Sequence, residues 1–230
     1  WGPFGLFQPL ADFIKLLTKE DVVPESADRF VFTLAPIVLL APVFLVFAVI
    51  PFGDNSFLGT LNIGILFIIG VTGVNTFGIF MGGWASRNKY AIFGAMRAVA
   101  MLVSYEVPMA LSVIGVVILA GSMSLTEIVN AQNVPFVLVQ PLAFLIFMSA
   151  ASAEMSRAPF DMIEAESELG GGYHTEYSGM KFGIFQLAEF MAPLVTATVA
   201  TVVFLGGTRG IDPIPGQIWF LAKVFFVIFL

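Results

Sequence analysis

The 230-residue chain has no cysteine and one histidine, and only 11% of its residues are charged. Without cysteine, the chain cannot form disulfides, thiolate zinc sites or cysteine-ligated iron–sulfur clusters. The chain has 10 lysines and arginines but 16 aspartates and glutamates. This net negative charge provides no basic surface for nucleic acid. Soluble domains typically carry about 25% charged residues. These deficits exclude a soluble globular enzyme and a nucleic-acid-binding protein.

Apolar residues are abundant instead and make up 58% of the chain. A transmembrane helix needs about 20 mostly apolar residues, and several continuous apolar stretches meet that length. The pattern predicts an all-α, polytopic transmembrane helix bundle that forms a single integral-membrane domain over residues 1–230. Five full spans and a truncated sixth are predicted, at residues 30–52, 61–85, 90–120, 134–153, 182–206 and 217–230.

Lysine and arginine are unevenly distributed between the two sides of this arrangement. Only Arg209 falls on one side, so the positive-inside rule makes the opposite side the inner one. On that side, residues 4–21 predict an amphipathic helix in the membrane interface, because apolar residues recur at helical spacing. A plain connector helix is the alternative. The basic residues of the inner side are Lys15, Lys19, Arg29, Arg87, Lys89, Arg157 and Lys181.

Four ionisable residues, Arg97, Glu106, Glu189 and Lys223, lie inside predicted spans. Each costs roughly 2.5–3.5 kcal/mol or more at the bilayer centre, so such residues usually face the bundle interior and serve ion transfer. Pro108 should disturb the hydrogen bonds beside Glu106 and admit water. The alternative is structural: Arg97 can snorkel to the interface and Glu189 can cap a neighbour. For Lys223 the two interpretations are evenly balanced.

Six carboxylates are concentrated in the predicted inner-side loop, residues 154–181, against Arg157 and Lys181. Three of them, beginning at Asp161, have the i, i+3, i+7 spacing that places side chains on one helical face. Closely spaced carboxyls repel when ionised, share their titration, and can pass protons along a row. A solvated acidic loop is the plainer alternative. The six are Glu154, Asp161, Glu164, Glu166, Glu168 and Glu176.

Few other chemical features are present. His174 lies beside Glu176 and could relay protons, but no second histidine supplies the ligand spacing of a metal site. The glycines at 170–172 follow no strand, so they do not indicate a nucleotide-binding loop. The sequence also contains no recognisable serine nucleophile. We therefore expect no metal and no cofactor bound by this chain alone.

Three stretches resemble one family closely: GLFQPLADFIKLLTKEDVVP at 5–24, SRNKYAIFGAMRAVAMLVSYEVPMAL at 86–111, and AEMSRAPFDMIEAESELGGGYHTEYSGMKFGIFQLAEF at 153–190. Together they resemble the family of the quinone-site membrane subunit of respiratory complex I, the proton-translocating NADH:quinone oxidoreductase. That family has eight spans. The resemblance therefore implies that the chain is a piece that lacks the first span and all or part of the last.

The resemblance implies an enzyme subunit without a redox centre, which forms the membrane-side part of the quinone chamber and couples quinone reduction to proton translocation. Quinone would be the substrate, and the flavin and iron–sulfur clusters would belong to partner subunits. The implied partners are peripheral-arm quinone-site subunits, small membrane subunits, antiporter-like subunits and the lipid bilayer. The implied location is the bacterial plasma (inner) membrane.

The acidic cluster and the family motifs together give the candidate site residues. The proton-path candidates are Arg97, Glu106, Glu154, Asp161, Glu164, Glu166, Glu168, Glu176 and Glu189, and the quinone-binding candidates are Gln8, Asp12, Lys15, Arg157, Phe160 and Asp161. The sequence departs from the family pattern at Met101, Gly170 and Phe190. Met101 and Phe190 replace a common Gln and Tyr, which removes two polar groups near the candidates.

Two other functions remain open from the sequence. One is the homologous ion-path subunit of a membrane-bound hydrogenase or of a dehydrogenase with another electron donor, which shares the ion path but need not use quinone. The other is a stand-alone secondary transporter. That function predicts inverted repeats with broken helices in matching halves, and the sequence has no such repeat.

Overall fold

The structure is a computed structural model that describes residues 5, 7–52, 61–155, 160, 172–210 and 215–230. Within these residues it is built from α-helices and one short 3-10 turn at Gly172–His174, and contains no strand. The predicted all-α fold class is therefore confirmed. The helices are α1 (Gln8–Thr18), α2 (Arg29–Val49), α3 (Gly64–Ala85), α4 (Lys89–Ala120), α5 (Leu125–Ala131), α6 (Phe136–Val139), α7 (Pro141–Glu154), α8 (Gly179–Phe204) and α9 (Gly216–Ile228).

Four of the described helices, α2, α3, α4 and α8, are long and apolar enough to cross a membrane. Helices α7 and α9 are apolar but shorter, at 14 and 13 residues. The apolar stretch 134–153 is not one continuous helix as predicted, because α6 ends at Val139 and α7 begins at Pro141. Proline has no N–H and its ring clashes with the carbonyl four residues earlier, so Pro141 starts a new helix.

Two of the long helices, α2 and α4, begin at residues whose side chains cap the helix. The Asp28 carboxylate accepts hydrogen bonds from the backbone N–H groups of Phe30, at 3.2 Å, and Val31, at 3.4 Å, at the start of α2. The Asn88 side chain accepts from the Tyr90 N–H in the same way and begins α4. Helix α4 ends at Gly121, whose φ of +69° is a left-handed conformation that glycine adopts without strain.

Small residues bring α2, α3 and α4 into close contact. A Cβ atom at Gly78 would lie 2.9 Å from the Leu39 backbone nitrogen on α2. A Cβ atom at Gly83 would lie 2.7 Å from the Ala91 carbonyl oxygen on α4 and would overlap the Cβ of Ala95. Close backbone approach at small residues is the usual basis of helix association in membranes. These glycines therefore fix the spacing of the three helices.

Tyr177, just before α8, forms a hydrogen bond to α2 where a proline interrupts the helical hydrogen bonds. Pro36 has no N–H, so the carbonyl of Phe32 loses its usual helical donor. The Tyr177 hydroxyl donates a hydrogen bond of 3.1 Å to that carbonyl, and its ring stacks on the Phe32 ring with centroids 3.9 Å apart. Burial raises the pKa of Tyr177, so the phenol stays a neutral donor.

Two apolar clusters form the core of the described residues. The smaller one surrounds Phe32 and Tyr177, and the larger one packs α2, α3 and α4 against α5, α7, α8 and α9. The C-terminal end of α8 is closed by Lys223 on α9. Its ammonium donates to the carbonyls of Leu205, at 2.7 Å, and Gly207, at 3.1 Å. A cation at this end complements the helix dipole.

We expect Gly83→Ala to destabilise the subunit by about 1–3 kcal/mol, because the added methyl group must displace α4. The free energy of unfolding of the full-length subunit in mixed detergent micelles measures this effect. Gly70→Ala is the matched control on the same helix, since a Cβ there meets nothing within 4 Å. Equal stability of the two variants would contradict the close approach of α3 and α4.

Tyr177→Phe should reduce the free energy of unfolding by about 1 kcal/mol, because the Phe32 carbonyl loses its donor. Pro36→Ala restores a backbone N–H four residues after Phe32. In the Pro36→Ala background, Tyr177→Phe should therefore cost clearly less, and a double-mutant cycle measures the difference. Additive effects of the two substitutions would show that the hydroxyl does not compensate for the proline.

Candidate functional site

A cavity of about 140 Å³ lies where the two apolar clusters meet and is lined by α2, α3, α4, α7 and α8. Its wall is mostly apolar, with Val43 and Val46 from α2 as typical examples. Three carboxylates nevertheless line it: Glu106 from α4, Glu154 from the last residue of α7, and Glu189 from α8. We call this space the carboxylate cavity. The structure thus brings together three sequence-predicted residues that are far apart in the chain.

The Glu106 carboxylate packs against α3 at Gly73. A Cβ atom at Gly73 would lie 2.9 Å from the Glu106 Oε1 atom. Pro108 follows within the same turn of α4 and leaves the Ser104 carbonyl without its helical donor. Glu154 is close enough for an electrostatic interaction with Glu106. Ionisation of one of these carboxyls therefore makes ionisation of the other less favourable.

Glu189 enters the carboxylate cavity from α8. Its Oε2 atom accepts a hydrogen bond of 3.4 Å from the Gln186 side chain, one turn earlier on the same helix. Pro193 comes four residues later and has no N–H, so the Glu189 carbonyl also lacks its usual helical donor. Glu106 and Glu189 therefore have similar surroundings. Each carboxylate is half-buried, and each lies near a proline that removes one hydrogen bond of its helix.

Uncharged polar residues on α3 complete the wall of the carboxylate cavity. Thr72, Asn75 and Thr76 line it, and Thr196 faces it from α8. The Asn75 Oδ1 atom is buried and has no hydrogen-bond partner among the described residues. These residues are not among the sequence-predicted candidates, which within the spans are all ionisable. Their i, i+3, i+4 spacing in an otherwise apolar helix is the pattern that could have identified them.

Other predicted proton-path residues lie elsewhere. Arg97 is half-buried on α4 and does not line the carboxylate cavity. Glu176 lies before α8 and accepts a hydrogen bond of 2.7 Å from the side chain of Asn88, at the start of α4. The structure thus holds Glu176 at a helix junction rather than beside the three cavity carboxylates.

The predicted quinone-binding residues of the N-terminal segment lie on α1. Gln8, Asp12 and Lys15 are exposed on this helix, and the Gln8 side chain donates to the Asp12 carboxylate at 3.0 Å. The apolar face of α1 is also exposed, as an interfacial helix requires. Phe160 lies apart from α1, with its ring centroid 5.7 Å from that of Tyr105 on α4.

The remaining candidates fall outside the described residues. They are Arg157, Asp161, Glu164, Glu166 and Glu168. Lys223, whose role the sequence left open, binds backbone carbonyls at the end of α8 and does not line the carboxylate cavity. Across the described part of the chain, no three histidines or acidic residues are grouped closely enough to hold a metal ion.

The carboxylate cavity has the elements that proton transfer needs. Carboxyls that face one cavity repel each other when ionised, so gain of a proton at one site alters the others. Hydroxyl and amide groups on the wall can hydrogen-bond to water or to a protonated carboxyl. The apolar wall lowers the local dielectric and strengthens each of these interactions. The arrangement can therefore hold and exchange protons inside the bundle.

The sequence of this chain is similar to those of known proteins. A family profile described as NADH dehydrogenase matches residues 1–230. The H subunit of the NADH-quinone oxidoreductase from Dehalococcoides mccartyi strain CBDB1 is 56% identical over 98% of this chain. The H subunit of the same enzyme from Bacillus thuringiensis strain Al Hakam is 50% identical over 100% of it. The chain spans 64% of the length of the first relative and 70% of the second.

The apolar helices and the family match identify a membrane protein. The two relatives match 98% and 100% of the chain at 56% and 50% identity. The chain belongs to the NADH dehydrogenase family, which includes these H subunits of NADH-quinone oxidoreductases.

Proposed function

We propose that this chain is part of a membrane subunit of a proton-translocating NADH:quinone oxidoreductase. It forms the membrane-side part of the quinone chamber and couples quinone reduction to proton translocation through buried carboxylates. The observation that carries the proposal is the convergence of Glu106, Glu154 and Glu189 from three helices on one cavity between them.

The chemistry of quinone reduction explains why buried carboxyls are useful. Reduction of a quinone to the quinol takes up two electrons and two protons, so protons must reach the head group or its charge must be balanced nearby. A change of charge at that site alters the ionisation of neighbouring carboxyls. In our proposal the acidic loop, with Arg157, Asp161, Glu164, Glu166 and Glu168, receives this change and passes it to Glu154 and the carboxylate cavity.

The second part of the proposal concerns the entrance of quinone from the membrane. Helix α1 exposes an apolar face beside Gln8, Asp12 and Lys15. A quinone with a long apolar tail approaches from the lipid, so an amphipathic helix in the interface is suited to its entrance. We assign the three polar residues to contacts near that entrance, and Phe160 to the chamber wall beside Tyr105.

The other components of the reaction belong to partners. The chain has no cysteine to ligate an iron–sulfur cluster, so we assign the flavin and the clusters to peripheral subunits. Small membrane subunits and antiporter-like subunits would continue the proton path. The names of the relatives favour this assignment over a hydrogenase subunit, and their bacterial sources favour the bacterial plasma membrane.

We predict that Glu106→Gln and Glu154→Gln, each introduced into the full-length subunit, lower quinone-coupled proton translocation at least about ten-fold. A positioned proton-transfer group typically contributes about 100-fold or more, and glutamine keeps the shape of the side chain but cannot release a proton. Electron transfer from NADH to hexacyanoferrate should not change. Acidification measured with membrane vesicles and dye reduction by the same preparation test both statements.

Glu127→Gln provides the matched control, because Glu127 is exposed on α5 and does not line the carboxylate cavity. This variant should translocate protons like the unaltered complex. Full translocation in both cavity variants would overturn the proposed path. Loss of dye reduction as well would indicate failed assembly of the complex rather than a blocked proton path.

A further inference from the structure

The side chain of Asn75 is a polar group of the cavity wall that the proposed path does not yet use. It lies on α3, lines the carboxylate cavity, and its Oδ1 atom is buried without a hydrogen-bond partner among the described residues. A buried acceptor left unpaired costs free energy, so native proteins almost always pair such atoms. At the wall of a cavity, this acceptor is available to a donor from within the cavity.

The chemistry of the cavity limits what that partner can be. The titratable groups that line the space are Glu106, Glu154, Glu189 and Tyr173. An ionised carboxylate only accepts hydrogen bonds, whereas a protonated carboxyl carries an O–H that donates. The side chains that α2 contributes to the wall are apolar and have no donor. A cavity carboxyl can therefore pair with the Asn75 oxygen only after it gains a proton, or through a water molecule that donates.

We propose that Asn75 is a positioning residue of the proton path. Its Oδ1 atom accepts a hydrogen bond from a protonated carboxyl of the carboxylate cavity, or from a water that such a carboxyl holds. The acceptor thereby favours the proton-loaded state of the cavity and fixes the direction in which the proton points. This inference rests on the proposed proton-transfer function and adds to it a residue that carries no charge.

The position of Asn75 on α3 supports this role. The Thr72 hydroxyl already donates to the Ile69 carbonyl at 3.0 Å, so its proton is engaged within the helix. Gly73, against which Glu106 packs, precedes Asn75 by two residues and lies on a different face of α3. Asn75 instead shares the cavity-lining face of this helix with Thr72 and Thr76. An acceptor on such an element is oriented before the proton arrives.

The test uses the full-length subunit in its assembled complex, with Asn75→Leu as the main variant. Leucine has a similar volume and no acceptor. We expect proton translocation to fall about ten-fold, while NADH-driven dye reduction stays normal. Asn75→Ser restores a smaller acceptor and should recover most of the activity. If the leucine variant does not assemble, Asn75→Val removes the same acceptor with less bulk and takes its place.

Infrared difference spectra report on the protonated carboxyl itself. They would not change if Asn75 had only a structural role. The C=O stretch of a protonated carboxyl rises in wavenumber when its O–H loses a hydrogen-bond acceptor, so the band should shift upward in Asn75→Leu and not in Asn75→Ser. Gln140→Leu is the matched control. The Gln140 Oε1 atom is also buried and unpaired among the described residues, but Gln140 does not line the carboxylate cavity.

The outcomes separate this inference from the function on which it rests. Reduced translocation with a shifted carboxyl band in the leucine variant, and neither change in Gln140→Leu, supports the role of Asn75. Normal translocation in Asn75→Leu, an unmoved band, or an equal loss in Gln140→Leu overturns it. If Glu106→Gln and Glu154→Gln also translocate normally, the proposed proton path fails as a whole.

Discussion

The cost of placing carboxylates inside an apolar bundle governs this structure. A charged side chain in the centre of a lipid-facing helix is expensive, so it must face protein, water or a compensating group. Glu106, Glu154 and Glu189 meet this requirement together by lining one internal cavity. The helices that carry them are otherwise mostly apolar.

Glycine and proline residues adapt the backbone to the presence of carboxylates inside the apolar bundle. Glycines bring α3 against α2 and α4, and Gly73 leaves room for the Glu106 carboxylate. Prolines interrupt α2, α4 and α8 and release carbonyl groups from the helical hydrogen-bond pattern. In α2 a tyrosine hydroxyl compensates for the released carbonyl. The prolines of α4 and α8 lie close to Glu106 and Glu189, where a released carbonyl adds polarity near the cavity.

The two ends of the bundle are held by different polar contacts. On the side predicted to be inner, Lys181 pairs with Asp21 at 2.8 Å, and the Ser178 hydroxyl contacts the chain that follows α1. At the opposite end of α8, Gln132 donates to the carbonyls of Val202 and Val203, and Lys223 binds carbonyls beyond them. These contacts hold α8 at both ends while its middle part faces the cavity.

The sequence by itself determined the all-α class, the amphipathic α1, the apolar helices and the presence of ionisable residues within them. These features follow from composition and local periodicity, which each segment carries alone. Only the tertiary structure decided that Glu106, Glu154 and Glu189 face one space, and that Lys223 instead closes the end of α8. It also divided the stretch 134–153 at Pro141 and brought Asn75 into the wall. Such contacts depend on how helices distant in sequence rotate against one another, and no local pattern specifies that rotation.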